Sequence, residues 1–77
     1  MNKSRRKKME EIIGKLDGIM DELNCLYEEE QEAYENMPEG LQESERGEEM
    51  SENIDEMEQA VSYLEDIIST LQEVIER

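Results

Sequence analysis

The residues that could do chemistry in this chain are crowded carboxylates, a short basic cluster, one isolated arginine and one cysteine. Glu28, Glu29, Glu30 and Glu32 crowd together, and Glu30 falls where an apolar residue is due in the helical rhythm described below. Carboxylates that converge inside a helical bundle can hold iron or manganese, but such centres pair Glu with a histidine on the same helix face. The chain has no histidine. An all-oxygen calcium or magnesium site stays conceivable, although the twelve-residue calcium-loop pattern does not occur. The plainer reading sends the Glu30 carboxylate to water, and no cofactor or metal is expected.

Lys3, Arg5, Arg6, Lys7 and Lys8 hold five of the eight basic residues. A cationic arm can neutralise phosphates. The remainder of the chain opposes that use, because residues 9–77 carry 23 acids against three bases and would repel a polyanion. Pairing along the helix, as Arg6 with Glu10 and Lys7 with Glu11, or with Glu65, Asp66, Glu73 and Glu76 near the other end, suits the arm better. Direct nucleic-acid binding is disfavoured. Arg46 is the single base between Lys15 and Arg77, and it sits in a connection. It can tie that connection to nearby acids or serve as a recognition contact, since loops carry recognition more often than cores do. Cys25 is alone, which excludes an intrachain disulfide. Asp21, Glu22, Glu28 and Glu29 around it disfavour a thiolate, and no nucleophile–base pair exists elsewhere. The expectation is a protein that is not an enzyme.

The elements that must carry these residues follow from periodicity. Met9, Ile12, Leu16, Ile19, Leu23, Leu26, Ala33 and Met37 advance by alternating threes and fours, with Glu30 filling the vacant step. Met50, Ile54, Met57, Val61, Leu64, Ile68, Leu71 and Ile75 repeat the rhythm. That alternation marks a left-handed helical seam, and no proline interrupts either run. Pro38 breaks the chain between them and pushes Met37 toward extended geometry. Leu41–Glu43 can form one short turn. Ser44 is the expected N-cap of the second helix, with Glu45, Glu48 and Glu49 in its dipole-positive first turn. Gly47 weakens this start and allows the helix to begin later, near Ser51.

The reading is therefore all-α: one helical-hairpin domain over 1–77, with helices at about 4–35 and 45–76 and a connection at 36–44. Folding it antiparallel sets Leu23 near Val61, Leu16 near Ile68 and Met9 near Ile75. Beside the seam run further apolar columns: Ile13, Met20, Tyr27 and Tyr34 in the first helix, and Ala60, Ile67 and Val74 in the second. One neighbour covers only a narrow stripe. Ile13, Met20, Tyr27, Ala60, Ile67 and Val74 are accordingly the expected dimer interface, joining two hairpins into a four-helix bundle.

Charge sets the class of partner. The formal net charge is −15, and residues 16–76 contain no lysine to pair at helical spacing and Arg46 as their one base. Uncompensated repulsions such as Glu28–Glu32 and Glu52–Glu56 destabilise helices, so the charge is read as serving a partner. A stiff helical rod with closely spaced negative charge can occupy a basic groove built for DNA. Arg46, Glu45, Glu48, Glu49, Glu52 and Glu56 are the expected partner-binding residues. No apolar run approaches the roughly 20 residues of a membrane span, and acids follow the basic start where a signal peptide would turn apolar. A soluble, cytoplasmic protein is expected.

The stretch Ala33–Tyr34–Glu35–Asn36–Met37–Pro38–Glu39, then Leu41–Gln42–Glu43–Ser44–Glu45–Arg46–Gly47 and an acidic amphipathic helix, resembles small uncharacterised proteins of bacterial phages and mobile elements. The resemblance implies a setting in Gram-positive bacteria, where small acidic proteins often act against host machinery, and gives weight to Arg46 and the Asn36–Pro38 corner. It implies no mechanism. The functional expectation is an acidic protein-binding module, in its sharpest form an inhibitor that mimics DNA on a basic host protein. The alternative is a structural or assembly module recognised through its apolar helix faces, with a carboxylate metal bundle behind both.

Overall fold

Two long runs of good helix formers separated by one proline produce two long helices. The computed structural model describes residues 1–77 and contains helices α1 (Lys3–Glu35), α2 (Glu39–Gln42) and α3 (Glu45–Glu76), with no strand. α1 and α3 pack against each other as a hairpin, giving a rod 58 Å long with a cross-section of 15 × 13 Å. No helix is long and apolar enough to cross a membrane.

Local capping explains the boundaries. Asn2 caps α1, its side-chain oxygen accepting from the Arg5 N–H at 2.8 Å. The basic cluster is therefore the first turns of α1 and continuous with the rod. At the other end of α1 the Asn36 N–H donates to Glu32, and the Gln42 side-chain amide donates to the Tyr34 carbonyl at 2.8 Å. Pro38 then starts α2, where its missing N–H is harmless, and its carbonyl accepts from Leu41 and Gln42. Ser44 caps α3 by accepting from the Gly47 N–H while its hydroxyl donates back to the Leu41 carbonyl.

Gly47 does not delay α3 to Ser51, and the expected start at about residue 45 is the one observed. The helix starts at Glu45, and Gly47 is buried in its first turn. A β-carbon at that position would lie 2.2 Å from the Gln42 carbonyl oxygen and 2.5 Å from that of Leu41. The missing side chain lets the start of α3 lie against the backbone of α2. The corner closes with no residue at positive φ.

The edge of α1 that faces α3 also differs from the expected one. Arg6, Met9, Ile13, Leu16, Met20, Leu23, Tyr27, Glu30 and Tyr34 of α1, then Met37 just beyond it, are half-buried in an unbroken alternation of threes and fours, with Asn24 and Gln31 half-buried beside them. Ile12, Ile19 and Leu26, expected in the seam, expose about half their surface, at 49%, 52% and 56%. Both progressions share Met9, Leu16, Leu23, Glu30 and Met37 and differ in the companion column. Met20, Tyr27 and Tyr34 are longer than Ile19, Leu26 and Ala33 and so offer more apolar surface to a facing helix. In α3 the expected seam from Met50 to Ile75 is the one that packs, with Ile54 and Ile68 the only buried apolar residues of the chain.

Candidate interaction surface

The rotation of α1 against α3 decides what the hairpin presents. Ile12, Ile19, Leu26 and Ala33 recur every seven residues, each one residue before a seam position. Asn53, Ala60, Ile67 and Val74 do the same in α3. The two columns flank one side of the hairpin. Leu23 and Glu30 share a hollow with Asn53, Glu56, Met57 and Ala60. Ala33, Met37, Leu41, Ser44, Arg46 and Met50 share another at the corner. Apart from Met1 and from Tyr63, whose hydroxyl accepts from the Gln59 side chain on the outer face of α3, every large apolar residue that is exposed (Ile12, Ile19, Leu26, Leu41 and Ile67) lies on this side or at its rim. The opposite side carries Glu10, Asp17, Asn24 and Gln31 from α1 and Ser51, Glu58, Glu65 and Gln72 from α3. One side is apolar and the other polar and acidic.

The residues expected at a dimer interface thus divide. Ile13, Met20 and Tyr27 are half-buried within the single hairpin, where they form its seam. Ile67 is 46% exposed, and Ala60 and Val74 are half-buried beside it. On α1 the residues left uncovered are Ile12, Ile19 and Leu26. A sequence signal for them exists: the extra column precedes the seam by one residue in both helices, as Ile12 precedes Ile13 and Ile67 precedes Ile68.

The expected partner-binding acids Glu45, Glu48, Glu49, Glu52 and Glu56 are all exposed along the first three turns of α3, and Arg46 is exposed beside them. Arg46 lines the corner hollow with Ala33, Met37, Leu41 and Met50, so the only base in residues 16–69 borders an apolar depression. Glu30 is half-buried next to Asn53 and Glu56. No group of three or more Asp, Glu or Cys side chains is arranged to hold a metal ion. Cys25 is exposed and free.

Charge is distributed unevenly along the rod. Antiparallel packing brings residues 1–15 and 70–77 to one end, where seven bases stand against four acids. Residues 16–69 carry nineteen acids and one base, a net −18. At the basic end Lys3, Arg6, Lys7 and Glu10 line a shallow hollow. Arg6 turns inward, its Nε shielded from solvent and without a hydrogen-bond partner. On the acidic body, partial burial, then the carboxylates of Glu58, Asp55, Glu28 and Glu35, hold the Tyr27 phenol above its usual 10.0.

Compared with protein-family models, curated proteins and solved structures, the chain matches none.

Proposed function

We propose that the protein is a non-enzymatic, acidic protein-binding module that works as a homodimeric four-helix bundle and occupies a basic, DNA-binding surface of a host protein. The observation that carries this reading is the stretch 16–69, with nineteen acids and one base on a stiff rod. A net −15 spread over 58 Å is one negative charge per 3.9 Å. Two fully overlapped copies double the density to about one per 1.9 Å, close to the roughly 1.7 Å of duplex DNA. The long-range field would steer the encounter, while Glu45, Arg46, Glu48, Glu49, Glu52 and Glu56 supply local contacts at the corner. The phage or mobile-element setting in a Gram-positive cytoplasm belongs to the same proposal.

The test is capture from a Gram-positive bacterial lysate at low and moderate salt, followed by competition with duplex DNA for whatever is retained. A basic nucleic-acid-handling protein should be captured, held less well as salt rises, and released by DNA. Retention of no such protein at either salt concentration sinks the reading.

The uncovered apolar side favours one alternative, an assembly module recognised through that side. Ile12→Glu with Ile67→Glu would abolish partner capture on the alternative. On the mimicry reading, the acidic corner would still bind a basic partner, at the lower charge density of a single hairpin.

A further inference from the structure

We infer that the apolar side of the hairpin is covered by a second copy lying antiparallel to the first, α1 on α1 and α3 on α3, with the two-fold axis crossing α1 at Ile19. This deepens the homodimer part of the function proposed above by fixing its geometry.

Three observations lead to it. The first is area. The chain exposes 6040 Å², whereas a compact monomer of its 9.1 kDa exposes about 4,900 Å². The surplus of about 1,100 Å² reflects a rod that buries only Ile54 and Ile68 among its apolar residues, so the hairpin alone leaves apolar surface to be covered. The second is placement, because the large apolar residues left exposed cluster on one side.

The third is charge, and it selects both the occupant and its direction. Beside the Ile12–Ile19–Leu26 column, on its outer flank, runs a second column at the same seven-residue spacing: Lys8, Lys15, Glu22 and Glu29, all exposed. Its sign changes between Lys15 and Glu22, next to Ile19. Reversing a second α1 about that point sets Lys8 against the partner's Glu29 and Lys15 against the partner's Glu22. The same operation places Ile12 on the partner's Leu26 and Ile19 on the partner's Ile19. Apolar and ionic matches thus agree to within one residue of register. Helices rise equally per residue, and Tyr27 lies close to Glu58 and Asp55, so Ile19 is level with about residue 65 of α3. The same axis therefore sets the Ala60–Ile67–Val74 column of α3 beside its own copy, with Ile67 near the crossing point.

The other symmetric stacking, with the axis along the rod, would put both basic ends together and both acidic bodies together. The antiparallel one sets each basic end, seven bases against four acids, on the partner's acidic body. Like charges disfavour the first and opposite charges favour the second.

The experiment uses the full chain with Cys25→Ser, so that introduced cysteines are the only thiols. Under mild oxidation Ile19→Cys should give a covalent dimer with itself, because residues on the axis approach their own copies closely enough to bridge. Ile12→Cys should bridge only when mixed with Leu26→Cys. Lys15→Glu should weaken the dimer about tenfold, and adding Glu22→Lys should restore it. Helical circular dichroism of each variant confirms that the hairpin itself is intact. A helical chain that stays monomeric at high concentration overturns the inference. So does bridging of Ile19→Cys to Ile67→Cys, which the axis along the rod would produce. A monomer that still competes with DNA for a basic protein would remove the pairing and leave the partner reading in place. A bridged dimer that no basic protein binds would do the reverse.

Discussion

Tyr27 shows how one residue reports the field around it. Its phenol sits in the seam of α1 while Glu58 and Asp55 of α3 face it, and both partial burial and these carboxylates oppose the phenolate. The folded chain therefore holds this proton to higher pH than the unfolded chain does. Stability from Tyr27 is intact below its ordinary value of 10.0 and is lost as pH rises through the raised folded value. In an alkaline titration followed by near-ultraviolet absorbance, one of the three tyrosines should ionise late, and Tyr27→Phe should remove that component alone. A late component that survives the substitution would contradict the placement. Little of this was legible beforehand, because the Tyr27 column and the Leu26 column both continue the same three–four rhythm. Side-chain length decides between them, and periodicity does not encode length. The exposed position of Glu45, Glu48, Glu49, Glu52 and Glu56 was legible, since carboxylates off the seam have nowhere else to go.

At the scale of elements, the glycines separate what helix propensity governs from what packing governs. Gly14 and Gly18 lie within α1 with open space where a side chain would be, and neither has positive φ. Gly14→Ala with Gly18→Ala should stabilise the hairpin by about 1 kcal/mol or somewhat more, since each exposed helical glycine forfeits up to about 1 kcal/mol relative to alanine. Gly47 is also helical, yet Gly47→Ala should destabilise by about 1–3 kcal/mol because the new methyl meets the backbone of Gln42 and Leu41. Thermal or denaturant unfolding compares the signs, and a stabilised Gly47→Ala would refute the close approach of α2 to α3. The helices themselves were readable: Pro38 marks the break, and Ser44 is the cap. The role of Gly47 was not. A glycine that weakens a helix start and one that admits a neighbouring backbone look alike in sequence, and only the carbonyls of α2 tell them apart.

For the whole molecule, the balance is between a thin core and a strongly like-charged body. Only Ile54 and Ile68 are buried apolar residues, and the body from 16 to 69 carries −18. Screening that repulsion should stabilise the fold, so the thermal midpoint should climb between low and moderate salt. Relief of about 1 kcal/mol would move it by roughly 4–8 °C in a domain of this size. A midpoint that falls steadily with salt would mean that attraction between the basic end and the acids outweighs the repulsion. The hairpin was legible at this scale because proline and heptad rhythm are properties of the chain. Which side it leaves bare was not, since that depends on how the two helices rotate against each other. The basic end has one further consequence. A lone hairpin is an arrow, with a large electric moment along its axis and a definite head. Two hairpins reversed on each other cancel that moment, so the pair has no head and no tail. A groove with its own polarity could then receive the rod in either of two equivalent directions, as it receives a palindrome.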